Sequence, residues 1–181
     1  MMFAAFRASA QDYNELVDSG MVAYARADYK RANSFFSKAL KKYKEDAALF
    51  YNRGLARYAL QLDAEAIADF NKSIWLKPSY PRAFEHRALC LSRLNRHEEA
   101  ILNLDSAINL DSQSAFCFFQ RGYEKSFLGR YKDAIPDYES GLRIDPKDLS
   151  ALGAYGSVRS LAGEPETALQ IFSLALKMGA D

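Results

Sequence analysis

Residues 48–78 read ALFYNRGLARYALQLDAEAIADFNKSIWLKP, and two sets of residues in this stretch recur at helical spacing. Phe50, Gly54 and Tyr58 step by four, and Ala66, Phe70, Ser73 and Ile74 follow at four, three and one. Each set therefore shares one face of a helix. The short break LQLDA between them interrupts the pattern, so the stretch reads as two helices joined tightly.

The same pattern returns at a fixed period of 34 residues. Aligned on Ala66, the chain gives Ala32, Ala66, Ala100, Ala134 and Ala168. Four places on come Phe36, Phe70, Leu104, Tyr138 and Phe172, and three further Ala39, Ser73, Ala107, Gly141 and Ala175. Twelve places before each alanine stands Gly20, Gly54, Ala88, Gly122 or Gly156. Gly54 and Ala66, or Gly122 and Ala134, are expected where the two helices cross, since small residues bring the axes to the close end of about 8–10 Å. The bulky column should fill the space beside that contact, with Ala39, Ala107 and Ala175 facing the next unit. Gly129 and Gly163 suit a left-handed turn between the helices. Pro81 suits a first helical position, while Pro136 falls inside a helix and should free one carbonyl or bend its first turns. Nothing alternates with a period of two, so the fold class is all-α, an array of one repeated supersecondary unit.

Composition narrows function. The 181 residues carry a formal charge of +1 with both signs interspersed, which argues against a general nucleic-acid binder. Lys38, Lys41, Lys42 and Lys44 form the densest basic stretch and read as the solvated C-terminus of a helix. Cys90 and Cys117 lack a CxxC partner, so they read as buried apolar residues of a reducing compartment. No metal site, cofactor motif, phosphate loop or nucleophile elbow is present in the sequence, and no apolar run reaches the ~20 residues of a membrane span. The two histidines, His86 and His97, do not form a catalytic pair: His97 occupies the turn slot held elsewhere by Tyr29 and Tyr131. The expectation is a non-enzyme. Its place is cytoplasmic, although the opening MMFAAFRASA, with one Arg and no acid, has the composition of an organelle-targeting start. We read residues 1–12 as a helical extension whose Phe3 and Phe6 pack on the first repeat.

The period, the small–Ala–bulky–small skeleton and lines such as FLGRYKDAIPDYESGLRIDP (127–146) resemble the tetratricopeptide repeat family. The resemblance covers residues 13–181 in five units, 13–46, 47–80, 81–114, 115–148 and 149–181. It implies a right-handed superhelical solenoid of antiparallel helix pairs whose first helices line a concave groove. It also implies a protein–protein interaction scaffold or adaptor with a protein or peptide partner. On that basis the groove would be lined by Tyr51, Asn52, Leu55 and Tyr58, by Arg82, Glu85, His86 and Leu89, and by Phe116, Phe119, Gln120, Tyr123 and Phe127. A strip of Tyr and Phe flanking Arg82 and His86 suits a peptide or helix with apolar anchors. The same aromatics equally suit packing between first helices of adjacent repeats, and the sequence leaves both readings open.

A second reading within the family is a co-chaperone or targeting receptor that clamps chaperone C-terminal tails. Such a clamp needs five charge-assisted donors. Here Asn52 and Arg82 match two of its places, while Val17, Met21 and His86 hold the others. Finally, the last helix carries Leu169, Phe172 and Leu176 on one side and Ile171, Leu174 and Met178 on another. An apolar helix at the end of an array calls for cover, so residues 169–178 are expected to mediate homo-oligomerisation or docking into a larger complex.

Overall fold

The computed structural model describes residues 2–179, with side chains from Gln11 onward, so the packing expected of Phe3 and Phe6 lies outside the described residues. Ten α-helices and no strand occur among those residues. They are α1 (Met2–Ala25), α2 (Tyr29–Lys42), α3 (Ala47–Ala59), α4 (Asp63–Leu76), α5 (Pro81–Arg93), α6 (His97–Leu110), α7 (Ala115–Phe127), α8 (Tyr131–Ile144), α9 (Leu149–Leu161) and α10 (Pro165–Met178). From α2 onward, every helix start and end recurs at the 34-residue period. The chain divides into two compact units, residues 1–94 and 95–181. In the first, α1 to α5 pack each on the next; in the second, α6 to α10 do the same.

Helix starts follow local chemistry. Asp46 accepts hydrogen bonds from the Ala48 and Leu49 amides, Asp148 from Ala151 and Ser114 from Cys117, satisfying amides that have no partner within their own helix. Pro81 and Pro165 take first helical positions, where a missing N–H costs nothing. Helix α8 continues through Pro136, which is exposed, so the freed carbonyl one turn earlier faces water.

All five turns adopt the left-handed conformation at the same column: Ala27 (φ 57°), Gln61 (φ 61°), Asn95 (φ 58°), Gly129 (φ 75°) and Gly163 (φ 91°). Only the last two are glycine, which is why sequence alone reveals the conformation at two turns of five. The Cβ of Ala27 and Gln61 makes this conformation costly, and the tight helix pair around each turn enforces it.

In four of the five pairs the crossing is a ring seated on a glycine; the third carries Ala88 and Leu104 at these positions. A Cβ added to Gly20 would lie 2.5 Å from Phe36; one on Gly54, 2.6 Å from Phe70; one on Gly122, 2.9 Å from Tyr138; one on Gly156, 2.6 Å from Phe172. The bulky column thus does more than fill space beside the crossing: it occupies the volume the glycine vacates. Two members of the third column for which the sequence set no direction, Gly141 and Ser73, have contacts of their own. Gly141 lies against the Phe119 ring, and the Ser73 hydroxyl donates to the Ala47 carbonyl at 2.8 Å. At these two positions the small residue turns toward the first helix of its own pair, because a ring or a helix end has to fit there.

One device escaped the sequence reading. Asp69, with a side chain only 3% exposed, accepts from Arg53 Nη2 at 2.7 Å, from Arg53 Nε at 2.9 Å and from Arg57 Nη1 at 2.7 Å. Two periods later Asp137 sits between Arg121 and Lys125, its Oδ2 2.7 Å from Lys125 Nζ. Arg53 and Arg121 also reach back to the preceding second helix, at Ser37 and Asp105 respectively. Buried carboxylates here hold three helices in register through charge-assisted bonds. Both cysteines are buried thiols outside any disulfide, and burial, with Asp63 beside it, pushes the Cys90 thiol up to about 12. A thiol so protonated behaves as a small apolar residue.

Candidate partner-binding faces

Within residues 95–181, α7 presents its aromatics in three different settings. Phe119 is half-buried, stacked on Tyr138 with centroids 6.4 Å apart, and Tyr138 in turn stacks on Tyr155 at 6.2 Å. Phe116 and Tyr123 stand beside this row and remain 42% and 50% exposed. Together with Gln120, Asp148, Ser150, Ala151 and Ala154 they line an open cavity of about 320 Å³ between α7, α8 and α9. Its floor is aromatic, its rim is two half-exposed rings, and its polar groups include the Gln120 amide, the Asp148 carboxylate and the Ser150 hydroxyl. One Asp148 oxygen already caps α9. Burial pushes the Tyr138 hydroxyl above its ordinary range, so the floor stays neutral.

Phe127 lies apart from that cavity. It stacks on His97 with centroids 4.1 Å apart, and the His97 Nδ1 is 2.7 Å from the buried Glu124 carboxylate. His97 thus has the packing role its turn slot suggested. Phe127 still exposes 59% of its surface, with Tyr123 next to it at 6.4 Å. The cavity walls Tyr138, Asp148, Ser150, Ala151 and Ala154 were not singled out from sequence as lining residues. Small and polar residues at the start of a helix carry no sequence signal of a cavity.

Within residues 1–94 the corresponding positions are more closed. Tyr51 is 5% exposed and touches Phe70, Tyr80 and His86 at centroid distances of 5.9, 4.8 and 5.5 Å. The His86 Nδ1 lies 2.9 Å from the Arg82 carbonyl and 3.4 Å from the Tyr51 hydroxyl. Burial raises the Tyr51 hydroxyl well above its ordinary range. Tyr58 lies under the Arg93 guanidinium, 3.7 Å from ring centroid to Cζ, and that guanidinium also bonds Asp63 and the Tyr58 carbonyl. Leu55 packs in the same cluster, Asn52 and Leu89 are half-buried, and Arg82 is exposed. Of the clamp places, Val17 packs in the core of α1–α3 and Met21 is exposed on α1.

On α10, Phe172 is seated on Gly156, and Ile171 and Met178 are half-buried. Leu169, Leu174 and Leu176 are exposed, and an apolar cavity of about 610 Å³ is lined by Phe172, Ala175, Leu176 and Gly179. Among the described residues no group of His, Cys, Asp and Glu could hold a metal ion, and no helix is long and apolar enough to cross a membrane.

Comparison with known proteins places this architecture. Models of the tetratricopeptide repeat match residues 17–81 and 119–181, and a second such model matches residues 81–114. No curated protein matches the chain in sequence. Among solved structures, a crystal structure of MamA superposes with a TM-score of 0.86 at 21% identity, covering 93% of this chain and 92% of that one. MamA from Desulfovibrio magneticus RS-1 gives 0.88 at 15% identity, covering 93% and 96%. YrrB, described as a TPR protein with an unusual peptide-binding site, gives 0.81 at 20% identity, covering 99% and 92%. At these identities the likeness shows the fold, an all-α solenoid of helix pairs. Tetratricopeptide repeats are generally non-catalytic interaction modules, which suggests protein or peptide partners. The helix period, the seated rings and the model matches agree: this chain belongs to the tetratricopeptide repeat family.

Proposed function

We propose that the protein is a non-catalytic adaptor that holds a peptide or helix of a partner protein on the α7 face and joins a larger assembly through α10. The observation that carries this reading is the pair of half-exposed rings, Phe116 and Tyr123, at the rim of an aromatic-floored cavity. An aromatic or aliphatic side chain of a partner would be buried there against Phe119 and Tyr138. Gln120 and Asp148 would orient its backbone or an adjacent cation. Anchors of this kind dominate peptide capture, at about 2 kcal/mol or more for the best of them. Tyr51 and His86 serve the same face of residues 1–94 as supports, being packed against one another, while Arg82 and Asn52 remain accessible to a ligand.

Phe116→Glu combined with Tyr123→Glu should abolish partner capture in affinity purification followed by mass spectrometry. The circular dichroism spectrum should not change, because both side chains are already in contact with water. Capture retained by the double variant would remove the α7 face from the account.

The α10 contact rests on Leu169, Leu174 and Leu176, exposed apolar residues on one terminal helix. Light scattering should show association that a Leu174→Ser, Leu176→Ser double variant reverses. A monodisperse monomer in both proteins, with unchanged partner capture, would remove this contact. The chaperone-tail reading gains no comparable support. Val17 is packed in the core, and the His86 Nδ1 lies within bonding distance of a backbone carbonyl, which leaves two donors where five are needed.

A further inference from the structure

The basic stretch at the end of α2 is the least explained feature of the surface. Lys41 and Lys44 line an open pocket of about 360 Å³ with Ser37, Leu40, Phe50 and Arg53, and Lys38 stands one turn earlier on the same helix. Lys38, Lys41 and Lys44 are exposed, and none forms an ion pair among the described residues. The neighbouring carboxylates are committed elsewhere. Asp12 pairs with Lys42; Asp46 caps α3 and accepts from the Tyr13 hydroxyl; Asp69 is held by Arg53 and Arg57. Glu45, exposed in the following turn, is the one nearby acid with no such bond. Lys38 and Lys41 stand three apart on α2, which brings like charges together on the helix surface and costs stability. Favourable placement near the helix C-terminus accounts for Lys41 and Lys42 in the last turn, and not for Lys38 or Lys44.

The repeat itself does not require this chemistry. The columns of Lys38 and Lys41 hold Lys72 and Trp75 one period on, then Ser106 and Asn109, then Ser140 and Arg143. The column of Lys44 holds Pro78, Ser112 and Pro146. The imbalance extends over the unit: residues 1–94 carry 15 Lys and Arg against 10 Asp and Glu, whereas residues 95–181 carry 9 against 13. Between the lysines the pocket offers apolar surface, the half-buried Phe50 ring and Leu40, over a guanidinium already fixed by Asp69.

We propose that this pocket is a second docking site, specific for an acidic peptide segment of a partner protein that carries one apolar anchor residue. The anchor sits on Phe50 and Leu40, and the flanking carboxylates pair with Lys38, Lys41 and Lys44. Binding relieves the repulsion among the lysines, so the site is bought with stability in the free protein. The inference is independent of the α7 face, which lies in the other unit.

The test is fluorescence anisotropy with a labelled peptide of Glu and Asp residues around a central Leu. Parallel arms use the same peptide with Ser for Leu, a Lys-flanked Leu peptide, phosphatidylserine vesicles and polyuridylate. The acidic Leu peptide should bind, weakening steeply as salt is raised. The Ser peptide should bind about tenfold less tightly and the Lys peptide not at all. A Lys38→Gln, Lys41→Gln, Lys44→Gln variant should lose the acidic peptide while melting no lower than the wild type. Undiminished peptide binding by that variant, or no binding of the acidic peptide at low salt, overturns the proposal. So does a lysine dependence seen for vesicles or polyuridylate and not for the peptide.

Discussion

Phe70→Ala should lower the unfolding free energy by about 3–5 kcal/mol, the range for deleting a fully buried aromatic ring. Phe70 is wholly buried and its ring rests on Gly54, which has no side chain to fill the space. The account makes a sharper claim about the pair. Gly54→Ala alone should destabilise by about 1–3 kcal/mol, because its new Cβ would lie 2.6 Å from the Phe70 ring. In the Phe70→Ala background the same change has room, and it exchanges a poor helix former for the best one, worth up to about 1 kcal/mol. Its effect should therefore reverse sign. Urea titration of the four proteins gives the coupling directly. Additive effects would mean that ring and glycine do not share the space described.

The second large effect lies in the buried carboxylates. Asp69→Ala leaves Arg53 and Arg57, one turn apart on α3, without the α4 carboxylate that both of them bond. Removing one member of a buried pair costs about 3–5 kcal/mol. The two arginine side chains are 17% and 21% exposed, so water recovers part of this. We expect a loss of about 2–3 kcal/mol by denaturant titration. Asp69→Asn, which keeps one accepting oxygen, should fall between the two proteins. A loss near zero for Asp69→Ala would show the cluster to be ornamental.

These expectations mark what was legible in the sequence. The helices, their pairing and the ring-on-glycine crossings follow from a period that five aligned columns repeat. The carboxylates Asp69 and Asp137 were not legible as structural, because a charged residue in an amphipathic helix reads as solvated until its partners one helix away are known. The left-handed turns at Ala27, Gln61 and Asn95 were hidden for a similar reason: packing around each turn imposes a conformation that those residues do not favour by themselves.

The binding face was half legible. Spacing alone put Tyr51 and Phe119 at the same repeat position on α3 and α7, two periods apart. Their environments then differ through residues far along the chain. Tyr80 and His86 close over Tyr51, whereas Asp148 and Ala154, in the same two columns, leave Phe119 half-buried at an open cavity. Side-chain size on the following first helix decides whether an aromatic becomes core or contact, and no single-helix pattern carries that information.

The claim that α7 is the contact can be met directly. A random peptide library displayed on phage and selected on the wild-type protein should enrich sequences with a recurrent aromatic or aliphatic anchor. The selected peptides should shift the NMR resonances of Phe116, Gln120, Tyr123 and Ala154, and should fail to bind the Phe116→Glu, Tyr123→Glu variant. Peptides that bind both proteins equally, with resonance shifts confined to other helices, would contradict it.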